Sequence, residues 1–156
     1  MRDALGDVAA RVVAGRPCRA TVDGVDLQIG GEPLVAMVGN VRWAGVDEAD
    51  GTTLTRDGDR AARIVVDGTR LQILDERDLA VIRLRADADS ATVLDGANTT
   101  VRTAKRSATS ITVGDMTVTG TQDLLLAALL TAHEIGPEVR ALAACHRLLL
   151  LQKSAL

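Results

Sequence analysis

The sequence predicts a mainly β (α+β) domain, in which an antiparallel β-meander surrounds an apolar C-terminal helix as a closed barrel or a sandwich. From residue 18 to 119 the pattern has period two, is rich in Val, Ile and Thr, and is interrupted by turn residues at intervals of about eight to twelve. A continuous apolar run, Leu124 to Leu130, then follows. A helix that is apolar on every side needs an enclosing layer, and the meander supplies one.

One domain, residues 1–156, is expected from the length, with a helix at 3–14, a β body at 18–119 and a helical hairpin at 121–152. The formal charge of −3 gives no sequence-wide cationic field, so nucleic acid is not an expected partner. Trp43 is the only aromatic residue. Base stacking and aromatic cages both need several rings, so these two classes of binding site are disfavoured.

The first predicted element is an amphipathic helix at residues 3–14. Gly15 and Pro17 follow its last turn and are typical of a helix end. One face of this helix would carry the apolar residues Leu5, Val8, Ala9, Val12 and Val13.

Asp-Gly pairs mark the turns of the β body, because both central residues of a type I′ hairpin turn need positive φ. The pairs lie at 23–24, 50–51, 57–58, 67–68 and 95–96. The predicted strands are 18–22, 25–29, 34–46 with a bend at Gly39, 52–56, 62–66, 69–74, 79–86, 91–94, 99–104, 109–113 and 116–119. In the strand 79–86, Leu79, Val81 and Leu84 cannot share one face, which predicts a bulge or burial on both sides.

Two helices are predicted after the meander. Thr119 or Thr121 is a suitable N-cap for a helix over 121–135, and Gly136 ends that helix. Pro137 then fits the first turn of a helix over 137–152.

The second of these helices has a broad apolar face, with Arg140 and Arg147 on its narrow polar side. Such a face either covers a barrel mouth or meets another subunit. The residues expected at an interface are Leu142, Leu148, Leu149 and Leu151.

His133, Glu134, Cys145 and His146 form the only cluster of metal-ligating or nucleophilic residue types. In a hairpin turning at Gly136, His146 would lie roughly 9–10 Å beyond the residues facing His133, at about 1.5 Å per helical residue. No catalytic residue, metal or cofactor is therefore predicted. The Asp-x-Asp patterns at 57–59 and 87–89 are explained by turns rather than by calcium.

Two cysteines in a chain of this length do not make a disulfide framework. Cys18 and Cys145 are therefore expected to be reduced, as in the cytoplasm, with Cys145 packing as a small hydrophobic residue.

A basic cluster lies at the end of one predicted strand and consists of Arg102, Lys105 and Arg106. It is either a solvated hairpin tip or a contact for a phosphate or an acidic lipid headgroup.

The segments ATVLDGANTTVRTAKRS and SITVGDMTVTGTQDLLLAALLTAHEI combine short hairpins with an apolar helix that begins at an Asp. They are similar to the closing section of the tubby-like superfamily, which includes LURP-one-related proteins and phospholipid scramblases. The resemblance covers roughly residues 62–135. It implies a closed barrel around a central helix and lipid or phosphoinositide binding, with Arg102, Lys105 and Arg106 as headgroup contacts.

The leading functional hypothesis is a non-enzymatic binding or scaffolding domain that acts through the last helix, as a homo-oligomer or with a protein partner. A peripheral membrane lipid-binding domain is the alternative that the resemblance favours. A third hypothesis places a small-molecule site at the barrel mouth, near Cys145, His146 and His133.

Overall fold

The structure is a computed structural model, and it describes residues 10–13, 18–30, 34–48 and 51–154. Thirteen antiparallel strands form one sheet in chain order, followed by two helices. The strands are β1 Ala10–Val13, β2 Cys18–Val22, β3 Val25–Gly30, β4 Val35–Val38, β5 Val41–Glu48, β6 Gly51–Arg56, β7 Asp59–Asp67, β8 Arg70–Asp75, β9 Ala80–Ala86, β10 Ser90–Asp95, β11 Thr100–Arg106, β12 Ser110–Val113 and β13 Met116–Thr119. The helices are α1 Leu124–Leu130 and α2 Pro137–Ser154.

The predicted antiparallel meander is confirmed, because each strand pairs with the next one along the chain. β1 and β13 are the two edge strands, and within the described residues no ladder joins them. The sheet is therefore not closed by strand pairing. Its buried face carries alternate apolar residues, such as Leu71 and Ile73 on β8, and both helices pack against that face.

Two of the predicted elements near the N-terminus are wrong where the structure describes them. Residues 10–13 form β1, which pairs with β2, and the rest of the helix predicted at 3–14 lies outside the described residues. Val12 and Val13 are β-branched, a side-chain shape that suits a strand better than a helix. The bent strand predicted at 34–46 is a hairpin, because Gly39 has φ 61° and turns β4 back as β5.

Of the two alternatives predicted for β9, a bulge or burial on both sides, the structure shows the bulge, which belongs to a series. The register of β8 with β9 skips Val81, that of β6 with β7 skips Ala61, and that of β10 with β11 skips Val101. The bulges thus recur at positions 61, 81 and 101, twenty residues apart. Each bulge follows a hairpin turn and shifts the inward–outward alternation of side chains by one residue. The residue after the bulge therefore again faces the core or the helices.

Two of the hairpin turns have the same hydrogen-bond pattern. The Asp75 carboxylate accepts hydrogen bonds from the backbone N–H groups of Arg77 and Leu79. The Asp95 carboxylate accepts the equivalent bonds from Ala97 and Thr99. These turns are also twenty residues apart, so the central part of the sheet is a repeated hairpin.

The first helix is enclosed, as its continuous apolar sequence predicts. All seven residues of α1 are buried, and the helix packs on β9 to β12 and on α2. Its N-cap is Asp123 and not Thr119 or Thr121. The Asp123 carboxylate accepts a hydrogen bond from the Leu126 N–H at 2.8 Å. The α-helix ends at Leu130 rather than near residue 135.

The second helix is buried more deeply than its sequence predicts. Residues 140–145 are all buried, and α2 packs on β1, β2, β3 and α1. The predicted polar side of α2 is wrong, because Arg140 is only 2% exposed and is paired with Asp23, while Arg147 is paired with Asp123. Neither described helix has the length and hydrophobicity that crossing a membrane requires.

The two cysteines are joined in a disulfide, which corrects the expectation that both are reduced. Cys18 begins β2 and Cys145 lies in α2, with Cα atoms 6.3 Å apart. Both residues are buried. The two cysteines are 127 positions apart in the chain, and the packing of α2 on β2 brings them together. The sequence alone therefore does not predict the bond.

Candidate functional site

The leucines predicted at an interface do not form a free surface. Leu142 is 0% exposed and lies inside the core of the chain. Leu148 and Leu149 are half-buried and pack against that core, and Leu151 is also half-buried. The apolar face of α2 is therefore largely used within the chain, and Leu142 is not accessible on the surface.

The predicted basic cluster is divided between two faces of β11. Lys105 is exposed and lies on the face opposite to Arg102 and Arg106, because alternate residues of a strand point to opposite sides. Arg102 donates two hydrogen bonds to the Glu134 carboxylate, at 2.7 and 2.6 Å. Arg106 donates to the backbone carbonyls of Gln122, at 2.9 Å, and Ala88. Both arginines thus attach the sheet to neighbouring segments.

The pair between Arg102 and Glu134 perturbs the carboxyl group. Partial burial by itself would raise the pKa of Glu134, but the hydrogen bonds and positive charge of Arg102 outweigh it. A backbone hydrogen bond and the neighbouring His133 act in the same direction, so the pKa of Glu134 lies below its ordinary value of 4.5. This carboxylate is thus a structural anchor for the segment after α1.

The His and Cys residues do not assemble a reactive centre. Cys145 is held in the disulfide, and His133 is exposed after α1. Among the described residues, no three His, Cys, Asp or Glu side chains come together as a metal site would require.

His146 instead attaches α2 to the sheet. Its Nε2 lies 2.9 Å from the hydroxyl oxygen of Thr52, at the start of β6. The Thr52 hydroxyl donates its single proton to the Asp47 carboxylate at 2.9 Å, so it accepts the bond from Nε2–H of His146. A histidine that carries the proton on this nitrogen cannot act as a base toward Thr52. The arrangement is therefore an anchor and not a nucleophilic pair.

The candidate binding site is a groove of about 710 Å³ on the sheet face opposite to the helices, which we call the outer groove. It crosses β2, β3 and β4. The side chains that line it from these strands are Arg19, Thr21, Asp26, Gln28, Val35 and Met37. The residues between them, Ala20, Leu27 and Ala36, are buried and point to the core, which places the groove on the outer face.

The outer groove lies where two hairpins separate. β3 and β4 pair only at Ile29↔Ala36 and Gly30↔Val35, although β4 has four residues. By contrast, the β2–β3 ladder includes every residue of β2, and the β4–β5 ladder includes every residue of β4. We call the β2–β3 hairpin and strand β4 the two walls of the groove, because the short β3–β4 ladder is the only pairing between them in the described residues.

The two walls differ in chemistry. The β2–β3 wall is polar, and Thr21 donates a hydrogen bond to the Asp26 carboxylate at 2.6 Å. Within the described part of the chain, the Arg19 guanidinium forms no ion pair or hydrogen bond. On the other wall Met37 is 54% exposed, and Val46 on the outward side of β5 is also 54% exposed. A half-exposed methionine is unusual on a surface, and its flexible side chain adapts to varied apolar ligands.

Sequence reasoning missed the outer groove for a definite reason. The period-two pattern shows that Arg19, Gln28 and Met37 point outward, but it does not show where a ladder ends. The register around the β3–β4 pairs places these three residues in one row across the sheet. The only sequence signal for the outer groove is Met37, an apolar residue at a position that the alternation assigns to the outer face.

No family model, curated protein or solved structure matched this chain. The resemblance to the tubby-like superfamily therefore stays a prediction.

Proposed function

We propose that this chain is a non-enzymatic binding domain, and that the outer groove takes an amphipathic organic anion. The observation that carries the proposal is the row of Arg19, Gln28 and Met37 along one groove. Arg19 forms no ion pair or hydrogen bond with another described residue, Gln28 offers an amide, and Met37 offers an exposed thioether. A ligand with an anionic head and an apolar body complements all three groups. This proposal keeps the predicted binding function but moves it from α2 to the opposite face of the sheet.

The distance across the groove sets the size of the ligand. Arg19 and Met37 lie on β2 and β4, which are two strand spacings apart, or at least about 10 Å. A short fatty carboxylate such as octanoate spans this distance, with its head at Arg19 and its chain over Val35 and Met37. Charge-assisted bonds from Arg19 would fix the head, and burial of the chain would supply the apolar part of the affinity.

The test is a titration of the ¹⁵N-labelled protein with octanoate, followed by amide shifts in NMR spectra. We expect the shifts to concentrate at residues 19–28 and 35–37. Octylammonium is the matched control, because it has the same apolar chain and the opposite charge. It should bind at least about tenfold more weakly, since a single charge-assisted contact is worth about 1.5–3 kcal/mol.

Two variants separate the contributions of the walls. Arg19→Gln should remove the preference for octanoate over octylammonium. Met37→Ser should lower the affinity for both ligands. Both side chains are exposed, so the fold should be kept in each variant. Octanoate shifts that spread over α1 and β9 to β12, or that are unchanged in Arg19→Gln, would refute the proposed site.

A further inference from the structure

The row of outward side chains that crosses the outer groove continues beyond the groove onto β5. Arg19 is paired with Gln28 across β2 and β3, and the register of β3 with β4 places Met37 next in the row. On its other side Met37 is paired with Arg42, so Arg42 points to the same outer face. We call these four residues the outer row, and it begins and ends with an arginine.

The Arg42 guanidinium is available to a ligand. The side chain is exposed, and the backbone of Arg42, rather than its guanidinium, bonds to Asp57. The Arg42 N–H donates to the Asp57 carboxylate at 2.8 Å, and the Arg42 carbonyl accepts from the Asp57 N–H at 2.7 Å. Among the residues that the structure describes, the guanidinium forms no ion pair or hydrogen bond. Because an arginine is not deprotonated in a protein, Arg42 adds a second permanent cation to the outer row.

We propose that Arg42 binds a second anionic head, so that the preferred ligand of the outer row is an extended dianion with an apolar middle, such as an α,ω-dicarboxylate. This inference rests on the proposed function, and it changes the ligand from an anion with one head to an anion with two. One carboxylate lies at Arg19, the other lies at Arg42, and the apolar chain between them covers Met37.

The spacing of the strands sets the length of such a ligand. Three strand spacings separate β2 from β5, so Arg19 and Arg42 are about 14 Å apart across the sheet. Each long side chain can lean toward the other, which shortens the distance between the two guanidinium groups. Decanedioate in an extended conformation suits this span. Butanedioate carries the same charge but is too short to reach both arginines.

The test compares decanedioate with its monomethyl ester at neutral pH, by titration of the ¹⁵N-labelled full chain and amide shifts. The ester has nearly the same length and lacks one charge. We expect the diacid to bind about fivefold more tightly, the upper end of what an exposed ion pair contributes. Its shifts should include residue 42 as well as residues 19–28 and 35–37. A gain no larger than the statistical factor of two equivalent heads at one arginine would overturn the inference.

Arg42→Gln is the variant that tests the second head. It should remove the advantage of decanedioate over the ester and leave octanoate unchanged, because the octanoate head lies at Arg19. Arg70→Gln is the matched control, since Arg70 is also an exposed arginine of a strand and lies on β8, outside the outer row. If the advantage survives in Arg42→Gln, or disappears equally in Arg70→Gln, the second head is not at Arg42.

The outcomes distinguish this inference from the proposed function. If octanoate binds at residues 19–28 and 35–37 but decanedioate binds no more tightly than its ester, the second head fails and the outer groove stands. If decanedioate binds through both arginines but octanoate does not bind, the second head stands and the proposal of a ligand with one head fails. If neither ligand shifts the amides of the outer row, both proposals fail.

Discussion

At the scale of single residues, the buried charges of this protein act as attachments between α2 and the sheet. Arg140 is nearly fully buried, donates a hydrogen bond to the Leu130 carbonyl and pairs with the half-exposed Asp23. Asp23 also has φ 50° as the first residue of its turn. The same aspartate therefore serves the hairpin turn and neutralises a buried cation.

The first prediction separates these two roles of Asp23. Asp23→Asn keeps a residue that tolerates positive φ but removes the charge facing Arg140. We expect a loss of about 1–3 kcal/mol in unfolding free energy, because a buried guanidinium loses its charged partner. Urea denaturation measures it.

Asp57→Asn is the matched control, since Asp57 also has φ 50° in an Asp-Gly turn but, among the described residues, its carboxylate accepts only from the Arg42 N–H. An equal loss in both variants would show that the turn, and not the buried charge, carries the effect.

The second prediction concerns acid stability. The folded pKa of Glu134 lies below its ordinary value of 4.5, so this carboxylate contributes stability at higher pH and loses it as pH falls through the folded pKa. The melting temperature of the wild type should thus fall more steeply below about pH 4.5 than that of Glu134→Gln. Parallel melting curves for the two proteins between pH 6 and pH 3 would contradict the role of the Arg102 contact.

At the scale of elements, the sequence pattern predicts most strands but not the features that depend on residues distant in the chain. Period two and the Asp-Gly turns located β2, β3 and β6 to β13 within a few residues. The helix predicted over residues 10–13 is wrong because pairing with β2 decides that segment. The polar side predicted for α2 is wrong because Arg140 and Arg147 find carboxylates at Asp23 and Asp123. No local pattern encodes those partners.

The third prediction tests the short helix α1 through its N-cap. The Asp123 carboxylate caps α1 at the Leu126 N–H and also accepts from Arg147, at 3.1 and 2.9 Å. Asp123→Ala removes both contacts and should cost about 1–2 kcal/mol or more. Asp123→Asn keeps a capping oxygen and should cost less, since only the ionic contact is weakened. If Asn proves as costly as Ala in urea denaturation, then Arg147, and not the cap, accounts for the loss.

The fourth prediction asks whether α2 is core or surface. Leu142→Ala should lower the unfolding free energy by about 2–5 kcal/mol, because it leaves a cavity in a packed core. Met37→Ala at the exposed position should change it by less than about 0.5 kcal/mol. If Leu142→Ala changes the unfolding free energy only slightly but dissociates an oligomer in sedimentation, Leu142 lies at an interface between subunits.

At the scale of the whole molecule, one disulfide encloses most of the chain. The bond between Cys18 and Cys145 spans 127 positions, so it includes β2 to β13, α1 and the first half of α2. In the part of the chain that the structure describes, the sheet is built from pairing between consecutive strands alone. Within the described residues, the disulfide and the packing of α2 on β1 to β3 bring the N-terminal strands into direct contact with the C-terminal part of the chain.

The last prediction follows from that loop. A cross-link over so long a segment restricts the unfolded chain, so Cys18→Ala, Cys145→Ala should lower the unfolding free energy by about 2–5 kcal/mol relative to the oxidised protein. Because the uncross-linked unfolded chain is more expanded, its urea m-value should also be larger. The variant in which only Met37 is changed to Ala controls for mutation at an exposed site. Equal midpoints and equal m-values for the oxidised wild type and the double variant would mean that the two cysteines are not bonded in solution.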